Sequence, residues 1–517
     1  MDRRRFLKYA GGGVVAGAAT VGGAVYYLGG KPKILETVTT AGTTSVATSE
    51  TSTTYSGPQI TGLTHTPTRV VNDRVHDIRV DVEITDPAER LSYVVIALEP
   101  VSYGQFSAGA FLREDRRTVH LESSGSEKQT LSAVFTDLKG GREYDLNVGA
   151  ADANGIVDEK TSRTEYIREF ENLGRQLYDK GLAVIADYYT WWDSPGGRYA
   201  SWGAAGTEHA HVYNPLLGEY SSADPIVVAR HVDWATGYGV NTFAVSWHGS
   251  TSDSNYYRAR ITQNFESGLL KSQLLSQIGF CILYENNDRL KIQNPNDPAE
   301  RWIEDLDDPY NREALVSDFV YLTKYFSNQQ YLRIDGKPCV RFDYTTPFRG
   351  DIQGVFDEVR SNLRSAGWEV YLINDLAGRS DYPSDLVSGA PLRWRYPNIS
   401  PAHISQVIES TDAFGGSGPP TLNNYNAWHD FAVKRGKDFL PVAWPGMEGS
   451  PFVYSGPLLK RSPELLRKTL NSSIEYGTRK MAEIVSFNEW TAGHQIEPAK
   501  EYGSTYLGVV RDCAGKP

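Results

Sequence analysis

Cysteine is scarce in this chain, which has only three among 517 residues: Cys281, Cys339 and Cys513. Three thiols do not build a disulfide framework, so hydrophobic packing must hold the fold together. Positive charge is also in deficit, because 52 Lys and Arg stand against 63 Asp and Glu, and the net charge is −11. Nucleic-acid phosphates require a basic surface, so this balance argues against a nucleic-acid partner.

Tyrosine and tryptophan, in contrast, are abundant, with 31 Tyr and 11 Trp. Both side chains combine a flat apolar face with a polar handle, which sugar-binding clefts need and which a large core also accommodates. Composition alone leaves these two interpretations open. The length exceeds what one compact core supports, so we expect two or more domains.

Residues 1–30 have the pattern of an export signal. Arg3-Arg4-Arg5-Phe6-Leu7-Lys8 fits the twin-arginine motif, and a Gly- and Ala-rich apolar stretch of 22 residues follows at 9–30. That stretch is long enough to span a bilayer, which needs about 20 residues. No lipobox Cys and no clear cleavage site follow, so both removal and retention as a membrane anchor stay open. We expect an exported archaeal or bacterial protein, extracellular or on the cell surface.

The next segment, 31–57, is predicted to be a stalk. Between Thr37 and Gly57, 13 of 21 residues are Ser or Thr. Such a run has little to bury and no helical or strand period, so it favours an extended chain.

Residues 58–166 alternate in polarity as antiparallel strands do, for example at 77–84 and 91–98. Short turns separate these runs, which favours a small all-β sandwich of the immunoglobulin or fibronectin type III kind. In such a sandwich the hydroxyl of Tyr144 would cap a corner. The segment carries no catalytic pattern, and we interpret it as a spacer or an auxiliary carbohydrate-binding module.

Residues 178–512 alternate between short apolar runs and amphipathic helical stretches. This rhythm predicts an α/β domain, a (β/α)8 TIM barrel. A doubly wound sheet is the alternative, but no Gly-rich phosphate loop follows the first strand. The predicted strands are 182–189, 240–247, 278–285, 337–344, 368–374, 389–395, 438–444 and 482–489, and the predicted helices are 226–238, 262–276, 312–326, 352–366, 425–435 and 463–476.

Polar and aromatic side chains follow nearly every predicted strand. Because barrel chemistry lies where strands end at the C-terminal face, this pattern predicts a polar cleft with aromatic walls. The residues at these ends are Asp187, Trp191, Trp192, Trp247, His248, Glu285, Asn286, Asp343, Asn374, Asp375, Arg393, Arg395, Trp444, Glu448, Asn488, Glu489 and Trp490.

Two motifs carry a family resemblance. The segment 213–225, YNPLLGEYSSADP, and the segment 486–499, SFNEWTAGHQIEPA, resemble signatures of the glycoside hydrolase family 99 endo-α-mannosidases. Shorter matches at 188–191, 245–247 and 334–338 support them, in the right order along the chain. The resemblance spans about residues 182–510 and implies a retaining enzyme that acts on α-mannose-type glycans, with an oligosaccharide or polysaccharide as its partner and no cofactor or metal.

The same resemblance implies a mechanism through the 2-hydroxyl of the substrate. Glu489 would be the base that deprotonates this hydroxyl, and a second carboxylate three residues later would be the acid. That position is Ala492 in this chain. Loss of general acid help typically costs ~10²–10⁴-fold in rate. Either another carboxylate supplies the proton, or the domain binds glycans of the cell envelope with impaired catalysis.

Candidate replacements for the acid are Glu448 first, then Glu285 and Glu497. With Glu489, the carboxylates Glu448 and Glu285 form the predicted catalytic set. Other residues are predicted to contact sugar through aromatic faces or polar groups. They are Tyr189, Trp191, Tyr220, Asp224, Trp247, Asp343, Arg393, Trp444, Trp490 and His494.

Overall fold

The computed structural model describes residues 57–72, 74–101, 116–193, 202, 211–297, 300, 303–343, 345, 347–376, 400–415, 425–448 and 459–515. The predicted export signal and nearly all of the predicted stalk lie outside these ranges. Among the helices within them, none has the length and apolar character that a bilayer crossing needs. The predicted anchor at 9–30 is not among the residues described.

The first part of the described chain is an antiparallel sandwich, as predicted. One sheet has the order β1-β2-β5 and the other the order β4-β3-β6-β7. Alternate residues such as Val80, Val82 and Ile96 are buried between the sheets because successive side chains of a strand point to opposite faces. The strands are β1 (Gln59–Val71), β2 (Arg74–Thr85), β3 (Tyr93–Pro100), β4 (Arg117–Glu122), β5 (Lys128–Phe135), β6 (Tyr144–Asp152) and β7 (Gly155–Arg163).

Tyr144 fixes a corner of this sandwich. Its ring is fully buried, and its hydroxyl donates a hydrogen bond to the carbonyl of Lys139 at 3.0 Å. The predicted corner contact is therefore present.

A buried aspartate joins the sandwich to the second part of the chain. Asp233 accepts hydrogen bonds from the Tyr166 hydroxyl at 3.2 Å and from the backbone N–H of Glu169 at 2.7 Å. The Arg168 guanidinium lies 3.4 Å from the same carboxylate, which balances its buried charge. Residues 56–517 form one compact unit, and the predicted boundaries at 58–166 and 178–512 stay predictions.

The second part contains a parallel sheet in the order β17-β16-β15-β13-β10-β9-β8-β19-β18. Its strands, mostly buried on both faces, form the main hydrophobic core with the surrounding helices. The strands in this part are β8 (Ala183–Tyr188), β9 (Thr242–Trp247), β10 (Gly279–Tyr284), β11 (Glu304–Asp305), β12 (Arg333–Ile334), β13 (Lys337–Phe342), β14 (Phe348–Arg349), β15 (Tyr371–Asp375), β16 (Ala413–Gly415), β17 (Asp438–Phe439), β18 (Val442–Ala443) and β19 (Met481–Ile484).

Helices connect these strands. Several begin at an Asp, Asn or Ser whose side chain accepts a backbone N–H of the first turn, often with Pro next, as helix starts favour. The helices are Leu173–Asp179, Pro225–Gly237, Tyr256–Ser267, Asn286–Arg289, Pro309–Phe326, Ile352–Ser365, Pro401–Ser410, Tyr425–Lys434, Pro463–Tyr476 and Thr505–Ala514, with 3₁₀ turns at Leu269–Lys271, Leu275–Gln277 and Thr478–Lys480.

The two end members of the sheet are halves of one chain segment, 438–443, and this closes the sheet. The β17 half pairs with β16, and the β18 half pairs with β19. The Leu440 N–H donates to the Phe414 carbonyl on one side, and the Pro441 carbonyl accepts from the Glu483 N–H on the other. Eight parallel strands therefore form a closed (β/α)8 barrel, which confirms the predicted fold class.

One predicted strand is wrong. The sixth barrel strand is β16, only three residues long, and not the predicted run 389–395. Such a short run, followed at once by glycines, carries too little periodicity to identify. The range 389–395, with Arg393, lies outside the described residues.

Candidate functional site

Five predicted site residues lie at the C-terminal ends of barrel strands, either as the last residue of a strand or in the loop that follows it. We call this set the C-terminal mouth: Tyr189, Trp247, Glu285, Asp343 and Glu489. Backbone hydrogen bonds link neighbouring ends, from the Glu285 N–H to the Trp247 carbonyl at 3.0 Å and from the Asp343 N–H to the Tyr284 carbonyl at 3.1 Å. Parallel strands that end together bring these side chains to one face of the barrel.

Glu489 lies in the loop after β19, and two backbone donors hold its carboxylate. The Thr491 N–H donates to Oε1 at 3.0 Å, and the Ala492 N–H donates to Oε2. Only 4% of the residue is exposed, and this burial raises the pKa of Glu489 to about 7, although the two N–H groups act in the opposite direction. The carboxyl group can therefore take up or release a proton near neutral pH.

The loop that carries Glu489 is fixed from both ends. Ser486 Oγ accepts the Glu489 N–H at 2.9 Å and lies 3.0 Å from His494 Nδ1. Arg461 donates to the carbonyls of Gly493 and Gln495. These bonds hold the carboxylate in one position, which a catalytic group requires.

His494 lies beside Glu489 without neutralising it. Its Nε2 is 3.7 Å from Glu489 Oε2. Burial, followed by the positive charge of Arg461, lowers the pKa of His494 to about 3. The imidazole is therefore neutral at pH 7 and adds no positive charge to the site.

Glu285 is the second buried carboxyl group of the C-terminal mouth. Ser246 Oγ donates to its Oε1 at 2.7 Å, and the same hydroxyl lies 3.0 Å from His248 Nε2. Burial raises the pKa of Glu285 well above its ordinary value, and the negative charge of Asp343 raises it further. A raised pKa favours the protonated form of Glu285, the form that a general acid needs.

Tyr189 is within electrostatic reach of both carboxyl groups. Asn488 fixes its backbone on both sides, accepting from the Tyr189 N–H at 2.7 Å and donating to the Tyr189 carbonyl at 3.0 Å. Burial raises the pKa of the Tyr189 hydroxyl, and the charges of nearby carboxylates, including Glu285 and Glu489, raise it further. The two candidate catalytic groups thus share one electrostatic environment.

Aromatic rings continue outward from Tyr189. Its ring centroid is 4.4 Å from that of Trp191, and the Trp191 ring lies 5.7 Å from His248. Trp191 is half-buried, so part of its indole face is accessible. A partly open indole offers a flat apolar face with a polar N–H, on which a sugar ring can stack.

Three other residues that were predicted to contact sugar, Tyr220, Trp490 and Asp224, form hydrogen bonds within the protein instead. The Tyr220 hydroxyl and the Trp490 indole N–H both donate to Glu497, at 2.7 and 3.0 Å, and all three side chains are buried. His231 Nε2 lies 3.2 Å from the other oxygen of Glu497. Asp224 caps the helix Pro225–Gly237 through the Ile226 N–H at 2.9 Å. These residues support the wall behind the mouth.

Four further predicted residues pack against or bond to neighbouring side chains. Trp247 is 1% exposed and stacks on Tyr284 at 5.6 Å, and Trp444 packs on His494 at 5.1 Å. Asp343 accepts from the Asn287 amide at 3.1 Å. Glu448 accepts from the Tyr213 hydroxyl at 2.6 Å. Arg393 is outside the described residues.

A buried charge cluster beneath the mouth was not predicted. Arg341, on β13, lies with its Nε 2.8 Å from Glu483 Oε1 and its Nη1 3.9 Å from Asp187 Oδ2. Burial raises the pKa of both Glu483 and Asp187, whereas Arg341 lowers it. The sequence signal that could have predicted this cluster is a charged residue inside each of two mostly apolar strands, Arg341 and Glu483. Asn488 and Ser246, which hold Tyr189 and Glu285, stood in the motifs without an assigned role.

The chain matches the family model described as Glycosyltransferase WbsX over residues 207–510. No curated protein matches it. Two structures of a family 99 endo-α-mannosidase from Bacteroides thetaiotaomicron are similar to it at 18% identity, with TM-scores of 0.45 and 0.46, over 64% of this chain and 96% of theirs. A family 2 β-galacturonidase from Eisenbergiella tayi matches at 11% identity with a TM-score of 0.34, over 89% of this chain and 73% of its own.

Proposed function

The chain belongs to the WbsX glycosyltransferase family, and we propose that the C-terminal mouth of its barrel hydrolyses α-mannose-type glycans. The observation that carries this proposal is the state of Glu489. A carboxyl group fixed by two backbone N–H groups, with a pKa of about 7, is suited to remove a proton from a sugar hydroxyl near neutral pH.

The first step we propose is internal displacement. Glu489 takes the proton of the substrate 2-hydroxyl, and O2 attacks the anomeric carbon. The bond from that carbon to the leaving oxygen breaks, and Glu285 gives its proton to this oxygen. Glu285 is chosen because burial raises its pKa, which favours its protonated form, and because Glu285 and Glu489 both act on the Tyr189 hydroxyl.

The second step reverses these roles. Glu285, now ionised, takes a proton from water, and the water oxygen attacks the anomeric carbon. The bond from that carbon to O2 breaks, and Glu489 returns its proton to O2. Both carboxyl groups end in their starting states, and the configuration is retained after two displacements.

Ala492 favours a second candidate, transfer from a nucleotide-activated sugar, because a diphosphate leaving group needs no proton. The charge of the mouth opposes it. Glu489 and Asp343 contribute negative charge there. The buried Arg341 is already ion-paired with Glu483, and Arg461 donates to loop carbonyls. A diphosphate would enter against unfavourable electrostatics.

The test is turnover of linear and branched α-mannans by the full chain. We expect oligosaccharide products, and we expect Glu489→Gln to reduce the rate at least ~10³-fold because it removes the base. Glu464→Gln, at an exposed helix start, is the matched control and should keep full activity. Binding without turnover would identify a glycan-binding protein. Release of sugar only from a nucleotide donor would identify a transferase.

We also propose that the protein acts outside the cell after twin-arginine export, because Arg3-Arg4 precede Phe6-Leu7-Lys8 in the pattern of that pathway. Replacement of Arg3 and Arg4 by Lys should leave the protein in the cytoplasm, as measured by fractionation. Unchanged export of this variant would contradict the proposal.

A further inference from the structure

The opposite, N-terminal face of the barrel contains two adjoining cavities. One, of about 340 Å³, lies against the starts of β9 and β10. The other, also of about 340 Å³, lies against the starts of β8 and β19. Tyr178 and Leu332 line both, so the cavities meet at these residues, and we call the pair the N-terminal groove. Each volume is within the range of small-molecule sites, about 300–1,000 Å³.

Tyr178 stands where the two cavities meet. It belongs to the last turn of the helix Leu173–Asp179, and 43% of the residue is exposed. Within the described part of the chain, its hydroxyl has no hydrogen-bond partner. An aromatic ring that is open to solvent between two cavities is a surface on which a sugar ring can stack.

Two glutamine amides border the same groove. Gln329 and Gln330 follow the helix Pro309–Phe326 and line the first cavity. Their side chains form no hydrogen bond with the residues that the structure describes, although the Gln330 backbone N–H bonds to Asn328. Each amide offers two donors and one acceptor oxygen, which match the hydroxyls of a sugar.

The arginines of the groove are already engaged. Arg175 bonds to Asp179 at 3.2 Å, and Arg333 donates to the Phe326 carbonyl. Arg479 bonds to Asp335 at 2.7 Å and also to Asp438. Carboxylates therefore balance two of these three positive charges, and the third guanidinium is held by a carbonyl, which favours a neutral ligand over an anion.

We propose that the N-terminal groove is a second glycan-binding site, which takes a neutral oligosaccharide segment with one ring stacked on Tyr178 and its hydroxyls bonded to Gln329 and Gln330. Only the choice of α-mannan as a ligand rests on the proposed function. The groove lies at the end of the barrel opposite Glu489. It would therefore hold a long glycan, or a neighbouring one, without occupying the C-terminal mouth.

The experiment is native affinity electrophoresis of the full chain carrying Glu489→Gln, in gels containing α-mannan or dextran. We expect retardation by at least one polysaccharide. Tyr178→Ala should weaken the apparent affinity about three- to tenfold, the effect of losing one aromatic stacking contact. Gln330→Ala should weaken it less. Tyr310→Ala, which removes a Tyr of similar exposure elsewhere on the barrel, is the control.

Absence of retardation in both gels would overturn the proposal, as would equal retardation of Tyr178→Ala and Tyr310→Ala. Turnover of a short soluble α-mannoside by the chain with Glu489 intact reports on the C-terminal mouth alone. That turnover should be unchanged by Tyr178→Ala. If there is no turnover but retardation still depends on Tyr178, the hydrolase proposal is wrong, and the proposal of a glycan-binding site in the N-terminal groove is supported.

Discussion

The two faces of the barrel differ in the kind of polar group that they present. The C-terminal mouth has buried carboxyl groups, Glu285 and Glu489, whose pKa values are raised by burial. The N-terminal groove has neutral amides, an exposed Tyr178 and paired charges. Burial of an ionisable group changes its proton affinity, whereas exposed amides change only hydrogen bonding. This difference fits the reaction proposed for the C-terminal mouth and the binding proposed for the N-terminal groove.

The largest effect that would sharpen this contrast is expected for Glu285→Gln. Loss of the proton donor should reduce hydrolysis of α-mannan ~10²–10⁴-fold. A mannoside with an activated aryl leaving group should be affected far less, because that group leaves without a proton. The measurement is kcat/KM for both substrates. An equal loss on both would show that Glu285 has a structural role.

A second prediction concerns stability. The pKa of Glu489 is raised from 4.5 to about 7 on folding, so the folded state binds the proton more tightly. The contribution of this proton to the free energy of unfolding is about 3 kcal/mol. It is fully present below pH 4.5 and is lost as the pH rises through about 7. Glu489→Gln does not titrate.

The melting temperature of Glu489→Gln, relative to the unmodified chain, should therefore be higher at pH 8 than at pH 5. Comparing the two pH values cancels any hydrogen bond that the amide fails to make. Gln330→Ala, at the N-terminal groove, should show no such dependence. A difference independent of pH for Glu489→Gln would mean that this carboxyl group is not buried as described.

The smallest effect is expected for Ala492→Glu. The side chain of Ala492 is 1% exposed, so a carboxyl group added there must displace its neighbours. With Glu285 as the acid, turnover should not rise by more than about threefold. A large gain in kcat on α-mannan would show that the acid is missing from this chain.

The fold was largely predictable, and its exceptions have physical reasons. Seven barrel strands were placed because apolar runs alternate with amphipathic helices, whereas Ala413–Gly415 is too short to carry a period. Glu489 was found through its motif. The sequence does not show which of the predicted residues are exposed to solvent. Tyr220 and Trp490 point inward because they donate hydrogen bonds to Glu497, which lies far from Tyr220 in the sequence.

The sequence also did not predict how charged residues on different strands affect each other's pKa. The raised pKa of Glu285 is caused by burial and by Asp343, which follows the next barrel strand. The sequence identifies both carboxylates as strand-end residues but does not reveal their separation. Only the closed barrel brings them together.

The most direct test of the account is the pH dependence of kcat/KM on α-mannan. A base with the pKa found for Glu489 predicts a rate that rises with pH to a midpoint near 7. Loss of the Glu285 proton, which burial disfavours, supplies the falling limb of the profile. A rising limb centred near pH 4.5, the ordinary value for a glutamate, would contradict the assignment of Glu489 as the buried base.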